Sequence, residues 1–123
     1  MAKALGIGGV FFKCRDRTAL GAWYRRYLDL PVNERGGVEF DLGSIPPGAY
    51  CVWGPFEEKT HYFNPSLKEF MINLIVDDLD GALSQVEEGG ATLVGGVEEY
   101  DYGRFGWFID PEGNKVELWE PAP

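Results

Sequence analysis

The chain has 123 residues, a length that favours one domain, and its 20 acidic and 11 basic side chains give a net charge of −9. This charge disfavours nucleic acid as a partner. No apolar run is long enough to cross a membrane, no signal-like segment is present, and Cys14 and Cys51 lack metal-finger spacing. We therefore expect a cytoplasmic protein with two reduced cysteines and no membrane partner.

The first half of the chain predicts one helix among short strands. Residues 5–14 are apolar and rich in β-branched and aromatic side chains, which is typical of a strand. Asp16 is placed to cap a helix whose apolar side chains recur at three- and four-residue steps. Three further strands are predicted over residues 32–35, 38–42 and 49–53.

Residues 54–69 interrupt this pattern. The segment contains Pro55 and Asn64-Pro65, and it is long for a loop inside one domain. It is interpreted as a connector between two halves, a lid over a site, or both. Its histidine, His61, is the only one in the chain and is a candidate ligand or catalyst as well as an ordinary surface residue.

The second half predicts the same order of elements. A strand over residues 70–76 leads to Asp78, which is placed to cap a second helix that ends at Gly89-Gly90. Strands are then predicted over residues 92–94, 102–109 and 115–120. The segment Asp110–Asn114 is predicted to turn the chain between the last two strands, because Pro111 presets the backbone and Gly113 can adopt a positive φ. One face of the last strand then carries Lys115, Glu117 and Trp119.

A residue-level match indicates an internal repeat. Shifting Val10–Asp16 forward by 62 positions places it on Ile72–Asp78, so that each first strand runs into the aspartate that caps its helix. Self-similarity of this kind predicts architecture more firmly than local propensity does. The predicted fold is a single α+β domain over residues 1–123, with two tandem βαβββ units at about 5–55 and about 70–121 and a connector at about 56–69.

The chain resembles the vicinal oxygen chelate superfamily, which includes glyoxalase I, extradiol dioxygenases and the fosfomycin- and bleomycin-resistance proteins. The resemblance covers nearly the whole chain. It rests on the ending GRFGWFIDPEGNKVELWEP and on the strand that runs into Val76-Asp77-Asp78-Leu79. It implies a curved, cup-like mixed sheet with helices on the outside, in which a small molecule binds and the enzymes of the family hold a divalent metal.

The resemblance also implies four metal-ligand positions, which fall on Gly9, Cys51, Met71 and Glu117. Gly9 and Met71 cannot bind a hard metal. Glu117 alone, or with Cys51, falls short of the ligand set that a catalytic metal needs, and His61 could be recruited from the loop. The expected cofactor is therefore none, and the alternative is a divalent metal such as Zn, Ni, Fe or Mn held by Glu117 with His61 or Cys51.

Alternation from these positions predicts an aromatic cup around the carboxylate of Glu117. Its expected ligand-binding residues are Phe11, Lys13, Cys51, Trp53, Met71, Asn73, Arg104, Trp107 and Trp119. The same aromatic side chains could instead pack against one another or against a second subunit.

Three functions remain open for this cup. It binds a neutral or cationic small molecule without metal, as the resemblance to the acidic bleomycin-resistance proteins implies. The second function is catalysis of a lyase, isomerase or dioxygenase reaction, either with Glu117 as a general base, made more basic by burial among aromatic residues, or with a metal. The third function is assembly through the sheet, and a homodimer is expected from the resemblance. The sequence favours the metal-free binder, without deciding whether a reaction is catalysed or whether the cup lies within one chain.

Overall fold

The computed structural model describes all 123 residues and contains two helices, a short 3₁₀ helix and a five-stranded sheet. Helix α1 spans Arg17–Leu28, the 3₁₀ helix spans Leu42–Ser44, and helix α2 spans Leu79–Glu88. The strands are β1 Ile72–Ile75, β2 Thr92–Leu93, β3 Glu98–Tyr100, β4 Gly103–Ile109 and β5 Lys115–Pro121. Neither α-helix has the length and hydrophobicity needed to span a lipid bilayer.

The sheet is mixed and open, in the order β1-β5-β4-β2, with β3 also paired to β4. β1 runs parallel to β5 and places Asn73 opposite Glu117. β4 runs antiparallel to β5 and places Trp107 opposite the same glutamate. Because paired residues on neighbouring strands point to the same side, Asn73, Glu117 and Trp107 lie side by side on one face.

The two helices pack against the other face of the sheet. The buried core consists of Leu20, Tyr24, Leu79, Ala82, Val86, Phe108, Val116 and Leu118. Phe108, Leu79 and Leu118 are fully buried. Burial of each side chain of this size contributes roughly 1.5–3 kcal/mol, so this face gives the sheet a stable support.

The helix ends follow the sequence prediction. The carboxylate of Asp16 accepts a hydrogen bond from the Ala19 amide at 3.0 Å, and that of Asp78 accepts one from the Gly81 amide at 3.0 Å. These bonds satisfy amides that the first helical turn leaves without a partner. Helix α2 ends before Gly90, whose φ of +92° is accessible to glycine at little cost.

The predicted turn between β4 and β5 is confirmed. The amide of Gly113, at φ +82°, donates to the carbonyl of Asp110 at 3.0 Å. The Asp110 carboxylate accepts hydrogen bonds from the amides of Glu112 and Asn114, from the Asn114 side chain and from the Tyr24 hydroxyl. Asp110 therefore closes the hairpin and also ties it to helix α1.

The α+β class and the order of strand, helix and strands in the second half are confirmed. The short strand β3 was not predicted, because Glu98 and Glu99 give it neither alternation nor β propensity.

The strands predicted in the first half, over residues 5–14, 32–35, 38–42 and 49–53, are not formed, so this part of the prediction is wrong. No backbone hydrogen bond involves residues 1–14. Phe11 is 95% exposed and Trp53 is 78% exposed. A strand is stable only when a neighbour satisfies its backbone groups and its apolar side chains cover a surface, and these segments have no such neighbour within the single chain.

Candidate functional site

The face of the sheet opposite the helices carries aromatic and polar side chains. We call it the aromatic face and define it by Asn73, Phe105, Trp107, Lys115, Glu117 and Trp119. The rings of Phe105 and Trp119 are almost parallel, with centroids 6.1 Å apart and an interplanar angle of 3°. Phe105 and Trp107 are 6.5 Å apart at 20°. The three rings therefore form a row of nearly parallel rings, in which the two tryptophans are almost fully buried, Trp107 at 6% and Trp119 at 5% exposure.

The carboxylate of Glu117 lies beside this row of rings. Its Oε2 accepts hydrogen bonds from the Tyr62 hydroxyl at 2.7 Å and from the Trp107 indole at 2.9 Å. Its Oε1 accepts one from the Asn73 amide nitrogen at 2.7 Å. A carboxylate has about four acceptor positions, so one position, on Oε1, remains for a further donor.

Tyr62 reaches the aromatic face from the loop of residues 54–69. Its ring lies nearly perpendicular to the Trp107 ring, at 6.3 Å and 84°. Partial burial, followed by the hydrogen bond and the charge of Glu117, raises the pKa of the Tyr62 hydroxyl above its ordinary value. The hydroxyl therefore stays protonated at neutral pH and acts as a donor to the carboxylate.

Lys115 is a charged residue that the fold buries, at 7% exposure. Its Nζ donates a hydrogen bond to the Tyr62 carbonyl and lies 5.1 Å from the Tyr62 ring centroid and 5.9 Å from that of Trp107. Desolvation lowers the pKa of Lys115, and the nearby Glu117 and Glu98 oppose that shift. Lys115 thus fastens the loop to the sheet through an ammonium held between two aromatic rings.

The loop has one further anchor, since the hydroxyl of Ser66 donates to the Gly113 carbonyl at 2.7 Å. Within the loop, Phe56 stacks on Tyr62 at 5.4 Å and contacts Phe63 at 5.1 Å. The loop is therefore held on the sheet instead of only connecting the two halves of the chain.

Four of the predicted ligand-binding residues lie on or next to this face. Asn73 and Trp107 bind Glu117 directly. The indole of Trp119 donates to the Tyr102 carbonyl at 3.0 Å and leaves its ring stacked in the row. Met71 directly precedes β1 and is partly buried.

The predicted residues of the first half do not converge on Glu117. Phe11, Cys51 and Trp53 are exposed, and none of them forms a hydrogen bond or ring contact with the aromatic face. Lys13 lines a separate open depression with Arg15, Lys68 and Glu112. Their expected positions depended on the strands of the first half, which are not formed in the single chain.

Arg104 lies on the opposite side of the sheet, so its predicted role in orienting a ligand is wrong. It alternates with Phe105 along β4 and therefore faces helix α2. Its guanidinium pairs with Asp80 at 3.0 Å and approaches Glu120 at 3.8 Å. Arg104 fastens the helix to the sheet.

The residues around Glu117 do not fit the divalent metal that the resemblance implies. The groups that contact its carboxylate are an indole N–H, an amide nitrogen and a phenol, all of which donate hydrogen bonds to it. His61 is exposed and is paired with Asn64 at 3.4 Å. No group of three or more His, Cys, Asp or Glu side chains is close enough to hold a metal ion, whereas a catalytic zinc needs about three.

Three residues of the site, Phe105, Lys115 and Tyr62, were not among the predicted ligand-binding residues. Alternation places Lys115 on the face of Glu117 and Trp119, and Phe105 on the face of Trp107, which was the available signal. Tyr62 belongs to an irregular loop, where no periodicity indicates the direction of a side chain.

Comparison with known structures agrees with the fold. The chain is similar to a protein of unknown function from Agrobacterium tumefaciens, with a TM-score of 0.63 and 18% identity over 98% of both chains. It is similar to the antibiotic-binding protein TnmS3 from Streptomyces sp. CB03234, with a TM-score of 0.58 and 18% identity over 98% of this chain and 100% of that one. Two further matched structures align over less than half of their own lengths.

A third structure carries the superfamily name. It is a member of the glyoxalase/bleomycin resistance protein/dioxygenase superfamily from Sphaerobacter thermophilus, with a TM-score of 0.50 and 25% identity over 96% of this chain and 98% of that one. No curated protein matches the chain. The family model for the glyoxalase-like domain matches residues 9–119, which is most of the sequence. The chain therefore belongs to the family of glyoxalase-like domains.

Proposed function

We propose that this protein binds a small, flat organic molecule, neutral or cationic, on its aromatic face and without a metal. The observation that carries the proposal is the Glu117 carboxylate, which lies beside three nearly parallel rings and keeps one acceptor position unused. Apolar surfaces with a few polar groups that fix orientation are typical of small-molecule sites.

The charge of the site supports the stated class of ligand. Glu117 repels an anion, and the net charge of −9 adds to that repulsion. A cation is attracted to the carboxylate and to the ring faces, whereas a neutral molecule meets no charge penalty. The structural neighbour TnmS3 is an antibiotic-binding protein, which is consistent with this proposal.

Binding is better supported than catalysis by Glu117. A general base needs a lone pair that is free and aligned with the substrate proton. Three of the roughly four acceptor positions of Glu117 are already used by donors from the protein. The arrangement suits a carboxylate that accepts hydrogen bonds and holds a ligand.

Three probes with the same ring system test the proposal: 2-naphthylmethanol, 2-naphthylmethylammonium and 2-naphthoate, titrated against the intrinsic tryptophan fluorescence. We expect the neutral and cationic probes to bind and the anion to bind at least roughly tenfold more weakly, because one charged contact is worth about 1.5–3 kcal/mol. Glu117→Gln should remove the preference for the cationic probe over the anionic one. Glu99→Gln is the matched control, since Glu99 is an exposed carboxylate of β3 that pairs with Arg104 in register.

Metal analysis of the purified protein tests the remaining part of the proposal. We expect substoichiometric zinc, nickel, iron and manganese. A stoichiometric metal that is lost in Glu117→Ala would overturn the metal-free binder and favour a metal-dependent reaction.

The proposed partner in assembly is a second copy of the chain. The single chain exposes 9203 Å², which is about 2,600 Å² more than expected for a folded monomer of 13.7 kDa. The excess is larger than the roughly 800 Å² that each partner buries in a standard interface. Residues 1–14 have unpaired backbone groups, and the second edge of β1 is free, so strand pairing between two copies would satisfy both.

Such a dimer would place the segments of the first unit on either side of helix α1, about 5–14 and 32–55, against the aromatic face of the other copy and would complete the predicted cup. Phe11, Lys13, Cys51 and Trp53 would then line the site from the second chain. The two unpaired cysteines support a reducing, cytoplasmic location for this assembly.

A further inference from the structure

We infer, on the basis of the proposed function, that Tyr62 occupies the ligand position in the free protein and that the ligand which replaces it carries an aromatic hydroxyl group. The Tyr62 side chain then fills the ligand position weakly until a ligand displaces it. Its contacts with the site therefore indicate the chemical groups that the ligand carries.

The Tyr62 side chain makes the contacts expected of a bound phenol. Its hydroxyl donates to Glu117 at 2.7 Å. Its ring packs against Trp107 in an edge-to-face arrangement and against the Lys115 ammonium, 5.1 Å from the ring centroid. One polar atom and one ring thus engage three residues of the aromatic face.

A phenol satisfies these three contacts better than other small polar groups. Its neutral O–H is a donor that an ionised carboxylate accepts, and such charge-assisted bonds are among the stronger ones. Its electron-rich ring face suits the buried ammonium of Lys115. A carboxylate would be repelled by Glu117, and an aliphatic alcohol would present no ring face to the cation.

The Tyr62 side chain can leave while the loop remains in place. The bond from Lys115 is made to the Tyr62 carbonyl, and the bond from Ser66 is made to the Gly113 carbonyl. Neither bond involves the phenol, whose ring also stacks on Phe56 of the same loop at 5.4 Å. The side chain is also 40% exposed, so rotation about its own torsions releases Glu117 without unfolding the loop backbone.

The test compares 2-naphthol with 2-methoxynaphthalene, which keeps the ring system and lacks the hydroxyl donor. Affinities are measured by isothermal titration for the wild-type protein, Tyr62→Phe and Tyr100→Phe. Tyr100→Phe is the matched control, because it also removes a hydroxyl that donates to a glutamate, Glu98, on the same sheet. Circular dichroism and thermal melts of each variant establish that it is folded.

We expect 2-naphthol to bind the wild-type protein about tenfold more tightly than its methyl ether, which corresponds to loss of one hydrogen bond to a charged group. Tyr62→Phe should bind 2-naphthol about tenfold more tightly than wild type, since the competing hydroxyl is gone. Tyr100→Phe should bind it as wild type does.

The alternative outcomes are distinct. Equal affinity for the two probes, together with no gain in Tyr62→Phe, would overturn the role of Tyr62 while ligand binding on the aromatic face would stand. Absence of binding by either probe in any variant, and by the naphthalene probes above, would overturn the proposed function and this inference with it.

Discussion

Two carboxylates on the β4–β5 hairpin have opposite roles that follow from their surroundings. Asp110 is 5% exposed, and four donors fill its acceptor positions. Glu117 is only partly buried and accepts three hydrogen bonds. A fully satisfied buried carboxylate stabilises structure, whereas a partly exposed one with an unused acceptor position can bind a ligand. Local hydrogen bonding thus separates the structural residue from the candidate functional one.

The Tyr24 to Asp110 bond gives a prediction at the residue scale. Tyr24→Phe should lower the free energy of unfolding by about 1.5–3 kcal/mol at pH 7, because Asp110 loses a buried donor. Burial, followed by the charge and hydrogen bond of Asp110, raises the pKa of Tyr24 above its unfolded value. The tyrosine therefore stabilises the fold below pH about 10, and that stability is lost as the pH rises further.

Urea unfolding at pH 7 and above pH 10 measures both effects. The wild-type protein should lose more stability on alkalinisation than Tyr24→Phe does. Tyr102→Phe, which is exposed, serves as control and should differ from wild type by less than about 0.5 kcal/mol. An equal alkaline loss in wild type and Tyr24→Phe would show that the bond does not contribute as described.

At the scale of elements, the sequence correctly predicts the features that neighbouring residues determine, such as turns and the alternation of strands. The Asp110–Asn114 turn and the alternation of β5 specify the hairpin, and they correctly place Trp107, Glu117 and Trp119 together. Arg104 and Trp107 are three residues apart on β4, so alternation alone places them on opposite faces, and the prediction that both line the cup was wrong for Arg104. Strands of the first half fail for a different reason, since their pairing partner is not encoded locally.

Gly103 gives a prediction at this scale. It begins β4 with φ +140°, and a Cβ placed there would collide with the Glu120 backbone carbonyl and the Trp119 indole. Gly103→Ala should therefore destabilise the protein by about 1–3 kcal/mol and displace the Trp119 ring.

Thermal unfolding of two alanine variants tests this prediction. At Gly37, a Cβ meets no atom within 4 Å, so Gly37→Ala is the matched control and should lie within about 0.5 kcal/mol of wild type. Equal stability of the two variants would mean that β4 does not begin in the strained geometry described.

At the scale of the molecule, the single chain leaves its two halves unequal. The second half forms a sheet with a packed core, while the first half contributes helix α1 to that core and leaves large apolar side chains such as Leu5, Phe11 and Val52 exposed. Exposed apolar area on this scale is typical of an interaction surface. The sequence repeat predicts strands in that half, and a second copy of the chain is the partner proposed to order them.

Concentration dependence tests this proposal. The apparent unfolding midpoint should rise with protein concentration, because assembly stabilises only the folded chain. Sedimentation equilibrium should give twice the chain mass. Phe11→Glu should weaken assembly, whereas Ser84→Glu, at an exposed position of helix α2 outside the proposed contact, makes the same change in charge and should not. A monomer at all concentrations with an unchanged midpoint would exclude the dimer.

The most direct measurement of the central claim is the response of the four tryptophan indole N–H signals in a ¹⁵N–¹H spectrum. Trp107 donates to Glu117 and Trp119 stacks in the ring row, whereas Trp23 donates to the Gly89 carbonyl on the helix side. On titration with 2-naphthylmethylammonium, the Trp107 and Trp119 signals should shift with one common affinity that is weakened in Glu117→Gln, while the Trp23 signal stays in place. Shifts confined to Trp23, or no shift at any indole under saturating probe, would contradict ligand binding on the aromatic face.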